Sequence, residues 1–197
     1  SMFVQACYNI VDSIFVARIQ DTAAVAGSSG GTAALTAVGL AFPFQMLLIA
    51  VSGGTGVGIN AMLSKALGEK DHETVKKTAN HAVFLVGVAY IIFLIAGVFL
   101  AETLIQSQGG MGLALTYGTQ YLRIVYIGAG AVLTQVTFER LLQSTGRTFY
   151  SMIAQMTGAI INIILDPIFI FGYFGMPEMK VAGAALATVI GQICAAT

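Results

Sequence analysis

The chain has no tryptophan, only two cysteines, three prolines and two histidines among 197 residues. Charge is also scarce. Asp, Glu, Lys and Arg make up 9% of it, against about 25% in soluble domains. Each shortage excludes something. Cys7 and Cys194, one near each end, make neither a disulfide framework nor a metal site. Both read as small buried hydrophobes. His72 and His81 lie in or beside one charged loop and read as solvated residues, not ligands. Without tryptophan, tyrosines must form any interfacial belt. Nine basic residues cancel nine acidic ones, so the charge balance names no acidic or basic partner and no nucleic acid. No secretory signal pattern is present. The chain starts and stops inside hydrophobic runs, which reads as a piece of a longer protein cut within its first and last helices.

What is present is apolar. Hydrophobic residues make up 57% of the chain, and the mean hydropathy is +0.85. This composition predicts an all-α integral membrane protein. Period-two alternation, which a membrane barrel needs, is absent. At about 20 residues per crossing, the runs predict six membrane segments, at about 2–20, 33–66, 78–102, 113–144, 147–174 and 180–197. Pro43 predicts a kink in the second. Lys65, Lys70, Lys76 and Lys77 fall between the second and third segments, and Arg140 and Arg147 between the fourth and fifth. The other connections carry only Arg18 and Lys180. The positive-inside rule then puts those two loops, and the N-terminus, in the cytoplasm.

The fifth segment carries Asn162-Ile-Ile-Leu-Asp166-Pro167, a carboxylate and a proline inside an apolar run. A charged side chain at the bilayer centre costs about 2.5–3.5 kcal/mol on insertion scales. Pro167 has no N–H for the carbonyl of Ile163, which makes it a candidate hinge. Asn162 lies one turn before Asp166 on the same face. Asp166 either holds a neighbouring helix by hydrogen bonds or serves an ion pathway. Similar polar stripes recur. They are Gln5, Tyr8, Asn9 and Asp12 in the first segment, Gln135, Glu139 and Gln143 in the fourth, and Thr188 and Gln192 in the sixth. With Gln155 and Asn162 in the fifth, they predict a shared wet cavity. Asp12 and Asp166 are candidate cation-binding residues, and Gln135 and Gln155 candidate lining residues. Glu139 either binds a cation or neutralises Arg140 or Arg123. Gly53-Gly-Thr-Gly-Val-Gly58 lacks the Lys-Ser/Thr of a phosphate-binding loop, so its small faces, such as Gly54 to Gly58, predict tight helix packing.

Together these stretches resemble the MATE family, the multidrug and toxic compound extrusion transporters, and in particular its DinF-like branch. The resemblance rests on Tyr8-Asn-Ile-Val-Asp-Ser-Ile-Phe-Val16, Thr36-Ala-Val-Gly-Leu-Ala-Phe-Pro43, Gly56-Val-Gly58 and Gly68-Glu-Lys-Asp71. It continues through Gln120-Tyr-Leu-Arg-Ile124, Leu141-Leu-Gln-Ser-Thr-Gly146, Asn162-Ile-Ile-Leu-Asp-Pro-Ile-Phe-Ile-Phe-Gly172 and Val181-Ala-Gly-Ala-Ala-Leu-Ala-Thr188. It implies a six-helix bundle that is the N-lobe of a twelve-helix transporter, with a C-lobe outside this chain. It implies a cation site at Asp12, Asn162, Asp166 and Thr188, joined by the backbone oxygen of Ala184, with Tyr8 and Tyr121 lining the pocket. Glu139 departs from the family, standing where some relatives have Asn.

The expected function is antiport, with Na⁺ or H⁺ driving export of organic cations and amphipathic drugs. Asp12 and Asp166 would share one pocket where both cannot stay ionised cheaply, and a proton or Na⁺ resolves the conflict. No enzyme activity is expected, nor any cofactor beyond the coupling ion. A monomer in the cytoplasmic membrane of a bacterium or archaeon is expected, in contact with lipid. Three rivals stand beside this reading. A lipid-linked precursor flippase would need a basic groove, to which only Arg123 would contribute within the membrane. An intramembrane aspartyl protease would suit paired carboxylates, but no Gly-x-Gly-Asp motif surrounds either Asp. A purely structural subunit would keep the polar stripes dry.

Overall fold

The computed structural model describes Ile14, residues 30–172 and residues 179–196. Apart from Ile14, the first predicted segment, with Tyr8 and Asp12, lies outside the described residues. Every element among the described residues is helical. They are α1 (Gly30–Gly68), α2 (His72–Ile95), a π-helical turn (Ala96–Leu100), α3 (Ala101–Ser107), α4 (Gly112–Ile127), α5 (Ala129–Ser144), α6 (Thr148–Phe171) and α7 (Lys180–Ala196). Residues 32–68 of α1, the continuous stretch His72–Ser107 and α6 are each long and apolar enough to cross a bilayer. The bent pair α4–α5 meets the same length and hydropathy criteria when taken together, and α7 is a shorter apolar helix of 17 residues. The chain is therefore an all-α membrane bundle. Its α2 surface is apolar and open, with Val83, Phe84, Ile91 and Ile92 exposed, and Phe99 of the π-helical turn continues it, as a helix facing lipid requires.

The predicted fourth segment, 113–144, is not one straight helix. It bends by 47° between α4 and α5. The break falls at Gly128, where a Cβ would collide with Val189 of α7. Only glycine lets α7 pass this close. The two prolines in helices do not break them, since α1 continues through Pro43 and α6 through Pro167 to Phe171. One missing backbone bond is tolerated where the neighbouring turns are complete and packed. Gly172, in the left-handed region at φ 70°, stops α6.

Tyr126 anchors the core. It is 1% exposed, donates its hydroxyl to the Phe44 carbonyl of α1 at 3.0 Å and meets Phe93 of α2 edge-on at 5.1 Å. Gly97 in the π-helical turn lies against its Cβ, so the backbone there approaches α4 closely. The tightest helix pair is α6–α7. A Cβ on Gly158 would come within 2.7 Å of the Gly191 carbonyl, and one on Gly191 within 2.8 Å of the Gly158 carbonyl. Gly183 likewise meets the backbone of Phe169. Small residues that let backbones touch are the usual means of helix association in lipid.

Gly158→Val should therefore force α6 and α7 apart at a cost of about 1–3 kcal/mol, the range for overpacking. A lowered thermal midpoint of the detergent-solubilised protein would show it, and an unchanged midpoint would show that the two helices separate freely. A second prediction concerns Asp71, which caps α2 by accepting from the backbone N–H groups of Glu73 and Thr74, both at 3.1 Å. The Thr74 hydroxyl also donates to it. That side-chain bond first, and the backbone bonds with it, hold the Asp71 carboxyl below its ordinary value. A carboxyl depressed by folding stabilises the fold above its unfolded value, and loses that contribution as pH falls through the folded value. Amide exchange at Glu73 and Thr74, corrected for intrinsic rates, should lose protection as pH falls below the ordinary carboxylate range. Asp71→Ala should remove both the protection and its pH dependence.

Candidate functional site

A cavity of about 380 Å³ opens between α1, α5, α6 and α7. Three of the predicted polar stripes meet in it. Gln135 and Glu139 come from α5, Gln155 and Asn162 from α6, and Thr188 and Gln192 from α7. Helical spacing explains why each stripe stays on one face. The packing of α6 on α7 through Gly158 and Gly191 brings the Asn162 and Thr188 faces together.

Asn162 is the junction. Its Nδ2 donates to Asp166 Oδ1 at 3.5 Å and to Thr188 Oγ1 at 3.3 Å. The Thr188 hydroxyl in turn donates to the Ala184 carbonyl at 3.0 Å. Four of the predicted cation-site residues thus form one chain of contacts. Asn162 Oδ1 is buried and has no hydrogen-bond partner among the described residues. Asp166 is 0% exposed and does not itself line the open cavity, since Asn162 stands between. This donor set of carboxylate, amide, hydroxyl and backbone carbonyl is all hard oxygen, which suits a small hard cation.

Glu139 belongs to a second cluster on α5. It is 8% exposed. Gln135 Nε2 donates to its Oε2 at 3.2 Å, and Gln143 Nε2 donates to its Oε1 at 3.0 Å. Neither Arg140 nor Arg123 forms an ion pair with it among the described residues, so the expected neutralising role does not hold. The amides take that place because i and i+4 residues share a helix face, whereas neighbouring residues do not. Gln143 also donates to Ser151 Oγ at 3.2 Å, tying α5 to α6.

Several expectations need correction. Arg140 is not a loop residue. It lies on α5, half-buried, and lines the cavity. Its stem packs on Gly56 of α1, where a Cβ would sit 2.8 Å from the Arg140 Cγ. Arg123 is exposed and outside this cavity. Tyr121 does not line the cavity either. It is 2% exposed and donates to Gln45 Oε1 at 3.3 Å, because the stripe that carries it faces α1. The glycine run also differs from the tight packing expected of it. Gly53, Gly54 and Gly58 have no atom within 4 Å of a notional Cβ, and Gly53 and Gly54 form the cavity wall. Among the described residues, only Gly56 in that run packs closely. Ser52, 3% exposed, also lines the cavity. Its position one residue before the glycine pair was the available signal, and the sequence reading passed over it.

Comparison with known proteins fits this arrangement. The chain is 28% identical over 169 residues to the multidrug export protein MepA of Staphylococcus saprophyticus, covering 86% of this chain and 37% of that protein. It is 26% identical over 188 residues to the FAD transporter of Shewanella oneidensis, covering 95% of this chain and 39% of that one. Among solved structures, it overlays the inward-facing conformation of a multidrug resistance MATE family transporter of the MOP superfamily. The TM-score is 0.85 and the identity 29%, over 98% of this chain and 40% of that one. A MOP superfamily transporter from Pyrococcus furiosus, described as having a binding pocket of reverse polarity, matches with a TM-score of 0.75 at 30% identity, over 99% of this chain and 40% of that one. The chain thus spans about two-fifths of the length of these proteins, and its helices fit a six-helix lobe. The MatE family model matches residues 25–168, most of the chain, and the chain belongs to the MatE family of membrane transporters.

Proposed function

We propose that this chain is the N-terminal lobe of a twelve-helix antiporter that exports organic cations and other amphipathic compounds in exchange for Na⁺ or H⁺. One observation carries the reading. Asn162 joins Asp166 to Thr188 at the edge of the cavity, and its own Oδ1 is buried without a partner among the described residues. A buried acceptor left unsatisfied costs about 1–3 kcal/mol. An arriving cation would remove that cost. Rotation of the Asn162 amide would exchange Nδ2 for Oδ1 and turn a donor to Asp166 into a ligand beside it. Thr188 Oγ1 and the Ala184 carbonyl would complete an oxygen set for Na⁺. A proton on Asp166 would satisfy the same contacts by another route. Asp12, as the resemblance implies, would add a second carboxylate.

Exchange follows from competition. Cation binding would change the contacts of α6 next to Pro167, whose missing N–H leaves the Ile163 carbonyl without its helical donor. A bend there would reshape the cavity and disfavour cargo. By linkage, cargo would disfavour the cation to the same degree. The TM-score of 0.85 to both an inward-facing and an outward-facing MATE structure fits a lobe that keeps its shape while it rocks against a partner lobe. The export named for the MepA relatives fits the direction of transport.

The test uses inside-out vesicles containing the whole transporter and a fluorescent organic cation. A Na⁺ gradient alone and a pH gradient alone are applied in turn, and one of them should drive uptake. Asp166→Asn should insert normally yet lose ion-driven uptake. Undiminished uptake by that variant would refute the scheme.

A further inference from the structure

We propose that the cavity selects zwitterionic cargo, with Glu139 taking its cationic group and Arg140 its anionic group. This rests on the transport reading and narrows the cargo it would carry. Glu139 and Arg140 are adjacent on α5 and both line the cavity. The cheapest way to place opposite charges in a membrane is to pair them directly. Here they are kept apart. Gln143 stands between them, donating through Nε2 to Glu139 Oε1 at 3.0 Å and accepting from Arg140 Nη1 at 2.8 Å. Each charge therefore retains binding capacity. A carboxylate offers about four acceptor sites, and the amides of Gln135 and Gln143 occupy two of them. A guanidinium carries five N–H donors. One is engaged by Gln143, and Nε is buried beside Gly56 with no partner among the described residues, so the remaining terminal N–H groups of this half-buried residue are the ones that meet a cargo. The stem of Arg140 is held against Gly56, so the group is fixed at the wall.

The surroundings fit the same ligand. Gln155 lines the same cavity, and its Oε1, buried without a partner among the described residues, would accept from an ammonium or iminium once its amide turns toward the cavity. The open glycine wall at Gly53 and Gly54, beside Val57, leaves room for a flat apolar body. A volume of about 380 Å³ lies in the range of small-molecule pockets. A purely cationic cargo would satisfy Glu139 but bring its charge close to Arg140, and like charges repel. A cargo bearing both signs answers both residues and leaves Gln143 in place.

Rhodamine 110 and rhodamine 123 give a matched test. The first carries a carboxylate beside its cationic ring system, and the second is its methyl ester, a cation only. Binding to the purified whole transporter in nanodiscs is read by fluorescence anisotropy, with empty nanodiscs subtracted. The wild type should bind rhodamine 110 about tenfold more tightly, the scale of one charged hydrogen bond. Arg140→Gln should abolish that preference while rhodamine 123 still binds, and Glu139→Gln should weaken both dyes. Arg140→Lys, which keeps the charge, should keep a preference and shows that loss in Arg140→Gln is not misfolding. Equal affinity of the wild type for the two dyes, or a preference that survives Arg140→Gln, overturns the inference. If that happens while ion-driven uptake of the cation persists, only the zwitterion selection falls. If neither dye binds and no gradient drives uptake, the transport reading falls with it.

Discussion

The bilayer interior offers no hydrogen-bond partners, and the rest of this structure answers that constraint. Each polar side chain at membrane depth must be satisfied by another part of the protein, or by whatever enters its cavity. The outward face of α2 accordingly carries only apolar side chains over long stretches. The amides, the acids and the arginine turn inward from α5, α6 and α7 and meet around one cavity. Two hydrogen-bonded clusters result, one around Asn162, Asp166 and Thr188 and one around Glu139, Gln143 and Arg140. Both are incomplete among the described residues, where Asn162 Oδ1 and Arg140 Nε have no hydrogen-bond partner. Incomplete satisfaction at such depth is what a binding site needs before its ligand arrives.

Glycine sets the distances between these clusters. Where Gly158 faces Gly191, α6 and α7 touch backbone to backbone, and Asn162 reaches Thr188. At Gly128 the absence of a side chain admits Val189 and marks the bend between α4 and α5. In α1 the same residue does the opposite, because Gly53 and Gly54 leave a wall with nothing against it among the described residues. Close packing and open space thus come from one residue type, and the neighbouring helix decides which.

Charge is so scarce in this chain that each buried charged group counts. Asp166, Glu139 and Arg140 lie in the half of the bundle built by α5 and α6, and amides handle all three: Asn162 for Asp166, Gln135 and Gln143 for Glu139, Gln143 again for Arg140. Amides carry both a donor and an acceptor, so they can link charges of either sign without adding one. That economy links the buried charges without adding to them.

Much of this was legible in the sequence, because helical periodicity is local. The spacing of Asn162 and Asp166, and of Gln135, Glu139 and Gln143, assigns each set to one helix face before any partner is known. Hydropathy likewise determined the membrane class and the approximate spans. The sequence could not determine how each helix is rotated against its neighbours. That rotation put Arg140 into the cavity and not into a loop, turned Tyr121 toward Gln45 and hid Asp166 behind Asn162. Nor could it distinguish a glycine that packs from one that leaves a gap, or show that the bend would fall at Gly128 while both helical prolines stayed within unbroken helices. Backbone propensity acts over a few residues. The distance between two helices depends on side chains far apart in the chain, and only the assembled bundle decides it.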